Sequence, residues 1–108
     1  MSHPIAFVAD IPPETGLGVE VDGRAVALFL VDGEVHAIHN RCPHMDASLA
    51  EGELEGCIVS CPLHHWEFDV TTGECVAPRW VPAARPVDRW PVRVVDGGIH
   101  VDIPAEDA

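Results

Sequence analysis

Three Asp-Gly pairs, Asp22-Gly23, Asp32-Gly33 and Asp96-Gly97, each lie between stretches of β-prone residues. The favoured two-residue hairpin turn needs positive φ at its centre, which aspartate tolerates and glycine adopts freely, so these pairs signal strands folded back on one another. The flanks agree. Arg24 to Val31 and Glu34 to Ile38 are short and rich in Val, Ile, Leu or Phe, while Ile99, Val101 and Ile103 share one strand face with His100 and Asp102 on the other. No stretch reads as a long amphipathic helix, so an all-β chain of antiparallel sheets is expected.

At 108 residues the chain can enclose one modest core but hardly two, so residues 1–108 are read as a single domain. Between about Asn40 and Arg85 the pattern changes to Cys, His, Pro and Gly, with short apolar pieces at Cys57 to Ser60 and Trp66 to Val70. This part, about 41–85, is expected to be an insert in a base built from about 1–40 and 86–108. Pro78 to Pro91 holds four of the ten prolines, which excludes a regular central strand there and predicts a stiff, irregular loop before the closing hairpin. Internal repeats and low-complexity segments are absent.

Formal net charge is −12, and the six basic residues are all arginines. Such a surface repels nucleic acid phosphates and anionic lipid. It suits brief docking on a basic partner, and it also serves solubility alone; composition does not choose between the two. Met1 to Glu20 has no basic cluster and no apolar run of signal-peptide length, and no run of about 18 apolar residues occurs anywhere. A cytoplasmic protein is expected, where four cysteines favour metal ligation or free thiols over disulfides.

The spacing of those cysteines is specific. Cys42-Pro43-His44 and Cys61-Pro62-Leu63-His64 each offer one thiolate and one imidazole, with residues 45–60 between them. Hairpins can bring two such loops to one metal site, the prolines stiffen both, and the apolar piece Cys57 to Ser60 is expected to be the strand leading into the second. Either half alone would be a weak signal; the pair is a strong one.

This double motif resembles that of the Rieske family, and the likeness extends into the β-rich segments on both sides. The resemblance implies a Rieske-like fold, with a cluster-binding subdomain inserted in a base domain, and one 2Fe-2S cluster as cofactor. It makes Cys42 and Cys61 ligands of one iron and His44 and His64 ligands of the other, with two sulfides bridging. Two ferric ions, two sulfides and two thiolates sum to zero charge when oxidised, so an electron is added more easily than to a four-thiolate cluster. Rieske centres accordingly lie at roughly −150 to +300 mV, against about −400 mV for plant-type ferredoxins.

High-potential members of the family carry an extra, disulfide-bonded cysteine in each ligand loop and hydroxyl donors to the cluster. Here those loop positions hold Ala47 and Leu63, and the chain has no tyrosine. Fewer donors stabilise the reduced cluster less, which predicts a potential near the low end, about −150 mV. Within the family the chain is most similar to the small ferredoxins of bacterial aromatic-ring dioxygenases and multicomponent monooxygenases. That likeness implies a soluble one-electron carrier, not an enzyme, that meets a flavin-dependent ferredoxin reductase and a terminal oxygenase transiently. It also implies that the edges of His44 and His64 form the electron port, and that their outer nitrogens titrate so that the potential falls as pH rises.

Other residues take plainer readings. Cys57 and Cys75 match no ligand position and are expected to be small buried hydrophobes without a disulfide. His65 adjoins a ligand, but the family spacing selects His64. His3, His36, His39 and His100 are ordinary surface or strand residues. Trp66 and Phe68 are expected to pack beneath the cluster, and Trp80 is the aromatic most suited to partner contact. Glu51, Glu53 and Glu55 read as a solvated face, with docking as a second use that extends to Asp46 and Asp69.

No serine or cysteine nucleophile comes with a separate His and acid pair, and at 108 residues a fused mononuclear-iron catalytic domain is not expected. Two rival readings stand beside the carrier. One is the small Rieske-like subunit of an assimilatory nitrite reductase. The other is a structural zinc module using the same ligand types, although Cys-x-His is an unusual zinc pair.

Overall fold

The Asp-Gly pairs turn the chain as their chemistry requires. In the computed structural model, which describes residues 4–21, 23–41, 48–62, 66–77 and 87–103, Asp32 and Gly33 have φ of 50° and 82°, and Asp96 and Gly97 have φ of 52° and 78°. Gly23 has φ of 82°, while Asp22 lies outside the described residues. The flanking pairs Val21↔Arg24, Val31↔Glu34 and Val95↔Gly98 close all three hairpins in antiparallel register.

Among the described residues the strands are β1 (Ala6–Phe7), β2 (Leu17–Val21), β3 (Arg24–Val31), β4 (Glu34–His39), β5 (Glu53–Glu55), β6 (Ile58–Ser60), β7 (Glu67–Asp69), β8 (Cys75–Ala77), β9 (Arg89–Trp90), β10 (Val92–Val95) and β11 (Gly98–Val101). Two 3-10 turns, Val8–Asp10 and Leu49–Glu51, are the helical pieces described, and no described helix is long and apolar enough to cross a membrane. The strands form three sheets, ordered β1-β11-β10, β2-β3-β4-β9 and β5-β6-β7-β8. Among the described residues all pairings are antiparallel.

The middle sheet explains why β3 is apolar along most of its length. A strand covered on one face alternates, whereas one covered on both does not. Ala27 and Phe29 of β3 face one buried group, with Ile38, Leu49, Leu54, Val59, Phe68 and Val70. Val26 and Leu28 face the other, with Ala6, Ile11, Trp90 and Ile99. The sheet containing β3 is therefore a shared floor, with the β5–β8 sheet packed on one side and the β1-β11-β10 sheet on the other. Phe29, Phe68, Leu28, Ile38 and Leu49 are fully enclosed, and each such side chain contributes about 1.5–3 kcal/mol on burial.

Two expectations need correction. Cys57 does not begin a strand: β6 starts at Ile58, and Gly56-Cys57 form the turn between Glu55 and Ile58, with Gly56 at φ 63°. Glycine at the first central position permits that tight turn, which takes Cys57 off the ladder. The proline-rich stretch also contains a strand, since β9 pairs Ala37↔Trp90 and Ile38↔Arg89. It is a two-residue edge strand, and Pro91, with no N–H to give, marks where the chain leaves one sheet for another. Residues 78–86 lie outside the described residues.

Candidate metal centre

The third sheet carries one expected ligand, Cys61, at the end of β6. The ladder Ile58↔Asp69, Val59↔Phe68 and Ser60↔Glu67 continues one step further, where the Cys61 N–H donates to the Trp66 carbonyl at 2.6 Å. Residues 62–65, which include His64, thus join two points already tied together. Cys61 is fully buried, in one group with Leu49, Val59, Phe68 and Val70, and Trp66 packs partly buried against that group. Phe68 lies in the core as expected. A thiol here is shielded from solvent and placed by a rigid strand end.

The segment with the other motif half begins where β4 ends. The His39 N–H donates to Asp88 at 2.9 Å and the Asn40 N–H to Ala25 at 2.9 Å. Leu49–Glu51 then stands beyond residues 42–47, with Leu49 and Ala50 buried. Of the predicted site residues, Cys61 is placed; Cys42, His44 and His64 lie outside the described residues, as do His65, Trp80, Asp46 and His3. Among the described residues no three His, Cys, Asp or Glu side chains gather as a metal site, so His36, His39, His100, Cys57 and Cys75 form no competing centre with the described carboxylates.

Those bystanders have ordinary surroundings. His36 stands 3.9 Å from the exposed Glu34 carboxylate, and His39 meets the Trp90 ring edge-on at 6.1 Å. Glu51, Glu53 and Glu55 are exposed, matching the solvated face expected of them. Cys57 and Cys75, expected to be buried, are both half-buried and not enclosed. Burial raises the Cys57 thiol above its ordinary range, and the neighbouring Asp69 carboxylate adds to the effect by charge and hydrogen bonding. Partial burial pushes Asp69 itself upward, yet hydrogen bonds from the Thr71 hydroxyl and N–H, with help from Cys57 and Thr72, leave it below the usual carboxylate range.

One residue beside the site went unremarked in the sequence. Asn40, two positions before Cys42, accepts hydrogen bonds at Oδ1 from Ala50 N–H at 2.7 Å and from the Ser48 hydroxyl at 3.1 Å. An Asx side chain at a strand end, with a serine just beyond the motif, is the signal that could have found it.

Residues 1–91 match the family described as "Rieske [2Fe-2S] domain". A ferredoxin component of naphthalene 1,2-dioxygenase/salicylate 5-hydroxylase systems from Ralstonia sp is 38% identical over 89 residues, which is 82% of this chain and 83% of that protein. The solved ferredoxin of Sphingomonas yanoikuyae B1 superposes with a TM-score of 0.83 at 33% identity, covering 94% of this chain and 97% of that one. A chain from a complex of reduced oxygenase and oxidized ferredoxin in carbazole 1,9a-dioxygenase superposes with a TM-score of 0.80 at 30% identity, covering 92% and 99%.

Proposed function

The chain belongs to the Rieske 2Fe-2S domain family, and we propose that it holds its cluster through Cys42 and Cys61 on one iron and His44 and His64 on the other. It carries one Rieske-type 2Fe-2S cluster and works as an electron carrier rather than as a catalyst. The observation that carries the ligand assignment is the paired Cys-x-His and Cys-x-x-His spacing, with Cys61 fully buried where β6 and β7 close on the second half.

The donors fit the group. Two thiols and two imidazoles are the set a Rieske centre requires. Cys61 offers its sulfur from a dry, fixed strand end, as a thiolate ligand needs. When bound, the cluster supplies a one-electron couple. The protein's own part would be to hold the ligands and to keep water from the Cys61 sulfur, through Leu49, Val59 and Phe68. The Cys61 N–H, committed to the Trp66 carbonyl, is not free to donate elsewhere. In this reading the cluster-bearing part spans about 41–85, and the base about 1–40 and 86–108.

The carrier's partners in this proposal are a flavin-dependent ferredoxin reductase and a terminal oxygenase, each met transiently in the cytoplasm. Support comes from the relative's place in a dioxygenase system, from the match to a chain in an oxygenase–ferredoxin complex, and from a net charge of −12 suited to fast, weak docking.

Two experiments test the reading. His44→Ala and His64→Ala should each lose the iron and sulfide that His65→Ala retains; the reverse order for His64 and His65 would break the ligand register. A reductase and an oxygenase that exchange no electrons directly should turn over together when this chain is added in substoichiometric amounts. A need for one chain per oxygenase would instead mark a fixed subunit, as in the nitrite reductase reading.

A further inference from the structure

The first ligand segment is closed by a side chain that the cluster motif does not contain. Asn40 directly follows β4, and its N–H donates to the Ala25 carbonyl on β3 at 2.9 Å, so its backbone is fixed to the middle sheet. From that anchor Oδ1 accepts from the Ser48 hydroxyl at 3.1 Å and the Ala50 N–H at 2.7 Å, both later in the chain than the first motif half. One amide oxygen therefore ties the point where the chain leaves the sheet to the point where it returns.

The far end is secured again from another direction. The Ala50 carbonyl accepts from the Thr15 hydroxyl at 2.5 Å and from the Gly16 N–H at 2.9 Å. Gly18 on β2 completes the arrangement by leaving room. A Cβ there would stand 3.0 Å from Asn40 Nδ2, closer than neighbouring atoms normally settle, so the missing side chain is a matter of space.

We propose that Asn40 is a positioning residue for the cluster. Its amide oxygen fixes Asn40 to Ser48 and Ala50, the two flanks of the segment that carries Cys42 and His44 in the sequence, and Gly18 is the space that holds the amide in place. The inference rests on the ligand assignment proposed above. A tie of this kind acts on how readily the two flanks part, because parting must break both hydrogen bonds and leave the Ala50 N–H without its acceptor.

The test uses the cluster-loaded protein and its Asn40→Ala, Asn40→Asp and Gly18→Ala variants. Two readouts are taken: the rate of cluster loss to excess iron chelator, and the electron paramagnetic resonance line widths of the reduced form. Asn40→Ala should lose its cluster about tenfold faster and show broadened lines. Asn40→Asp, whose carboxylate accepts the same two hydrogen bonds, should return the loss rate towards the parent's. Gly18→Ala keeps the asparagine but crowds its amide, and should fall between parent and Asn40→Ala. If Asn40→Ala does not accumulate, the comparison of Asn40→Asp with Gly18→Ala decides.

Parent-like rates and spectra in Asn40→Ala, or in Gly18→Ala where that variant decides, would overturn the inference. So would an Asn40→Asp protein as labile as Asn40→Ala. Cys42→Ser and His44→Ala separate the two levels of the argument. If they keep an unaltered cluster, the ligand assignment has failed; if they lose it while Asn40→Ala and Gly18→Ala match the parent, the role given to Asn40 alone is wrong.

Discussion

Replacing Gly52 with alanine probes how closely the approaches to the two ligand segments are packed. Gly52 follows the Leu49–Glu51 turn, donates its N–H to Leu49 at 3.0 Å, and precedes Glu53, which opens β5 opposite Ser60. A Cβ at position 52 would stand 1.9 Å from the Ser60 carbonyl oxygen and 3.0 Å from its carbon. Carbon–oxygen contacts settle at about 3.3 Å, so the strand would have to move by more than an ångström, and no rotamer change relieves a backbone obstruction. Overpacking costs about 1–3 kcal/mol, and a clash with backbone belongs at the upper end of that range. With about 2.1 cal/mol/K per residue, unfolding 108 residues carries about 0.23 kcal/mol/K, so about 3 kcal/mol lowers the melting temperature by about 13 °C.

The assay is thermal unfolding of the loaded protein by circular dichroism, with iron counted per chain. Because Ser60 adjoins Cys61, cluster content should fall together with stability. Gly33→Ala is the control: its Cβ meets nothing within 4 Å, leaving only the left-handed backbone cost of about 1 kcal/mol, or about 4 °C. A Gly52→Ala protein that melts within about 3 °C of the parent with full iron would refute the reasoning.

Three further outcomes are expected. Phe68→Ala, at a fully buried position, should destabilise by about 3–5 kcal/mol in chemical denaturation, and a loss under about 1 kcal/mol would show the site is not packed as described. The Cys57 thiol, raised by burial and by Asp69, should alkylate slowly in peptide-mapped assays. Its rate should keep climbing with pH beyond about 9, because the reactive thiolate appears only as pH rises through a raised pKa. Asp69→Asn should speed the reaction, and a plateau below the ordinary thiol range would contradict the assignment. The reduction potential should lie near about −150 mV, and a value above roughly +100 mV would contradict the argument from sparse donors.

What the sequence disclosed is local chemistry. Asp32-Gly33 and Asp96-Gly97 specify their hairpins through backbone angles that few residues accept, and the double Cys/His motif carries the family resemblance from which the proposed donors are taken. What stayed hidden depends on neighbours distant in the chain. The apolar run of β3 signals burial but not that its two faces serve two different cores, since that follows from where Phe68 and Ile99 arrive. The Gly56-Cys57 turn was concealed because cysteine reads as an apolar strand former, and β9 because prolines flank it. Asn40 looks like any loop asparagine until Ser48 and Ala50 come within reach of its oxygen.

The proposed centre is a pair of bridged irons held on one side by two sulfurs and on the other by two imidazoles. Pulsed electron paramagnetic resonance of the chemically reduced, anaerobically purified protein tests it most directly. The reduced protein should give a rhombic signal with an average g below the free-electron value and couplings from two directly bound nitrogens, which His44→Ala and His64→Ala remove and His65→Ala preserves. A silent, colourless protein containing zinc, or an iron-sulfur signal with no bound nitrogen, would contradict it.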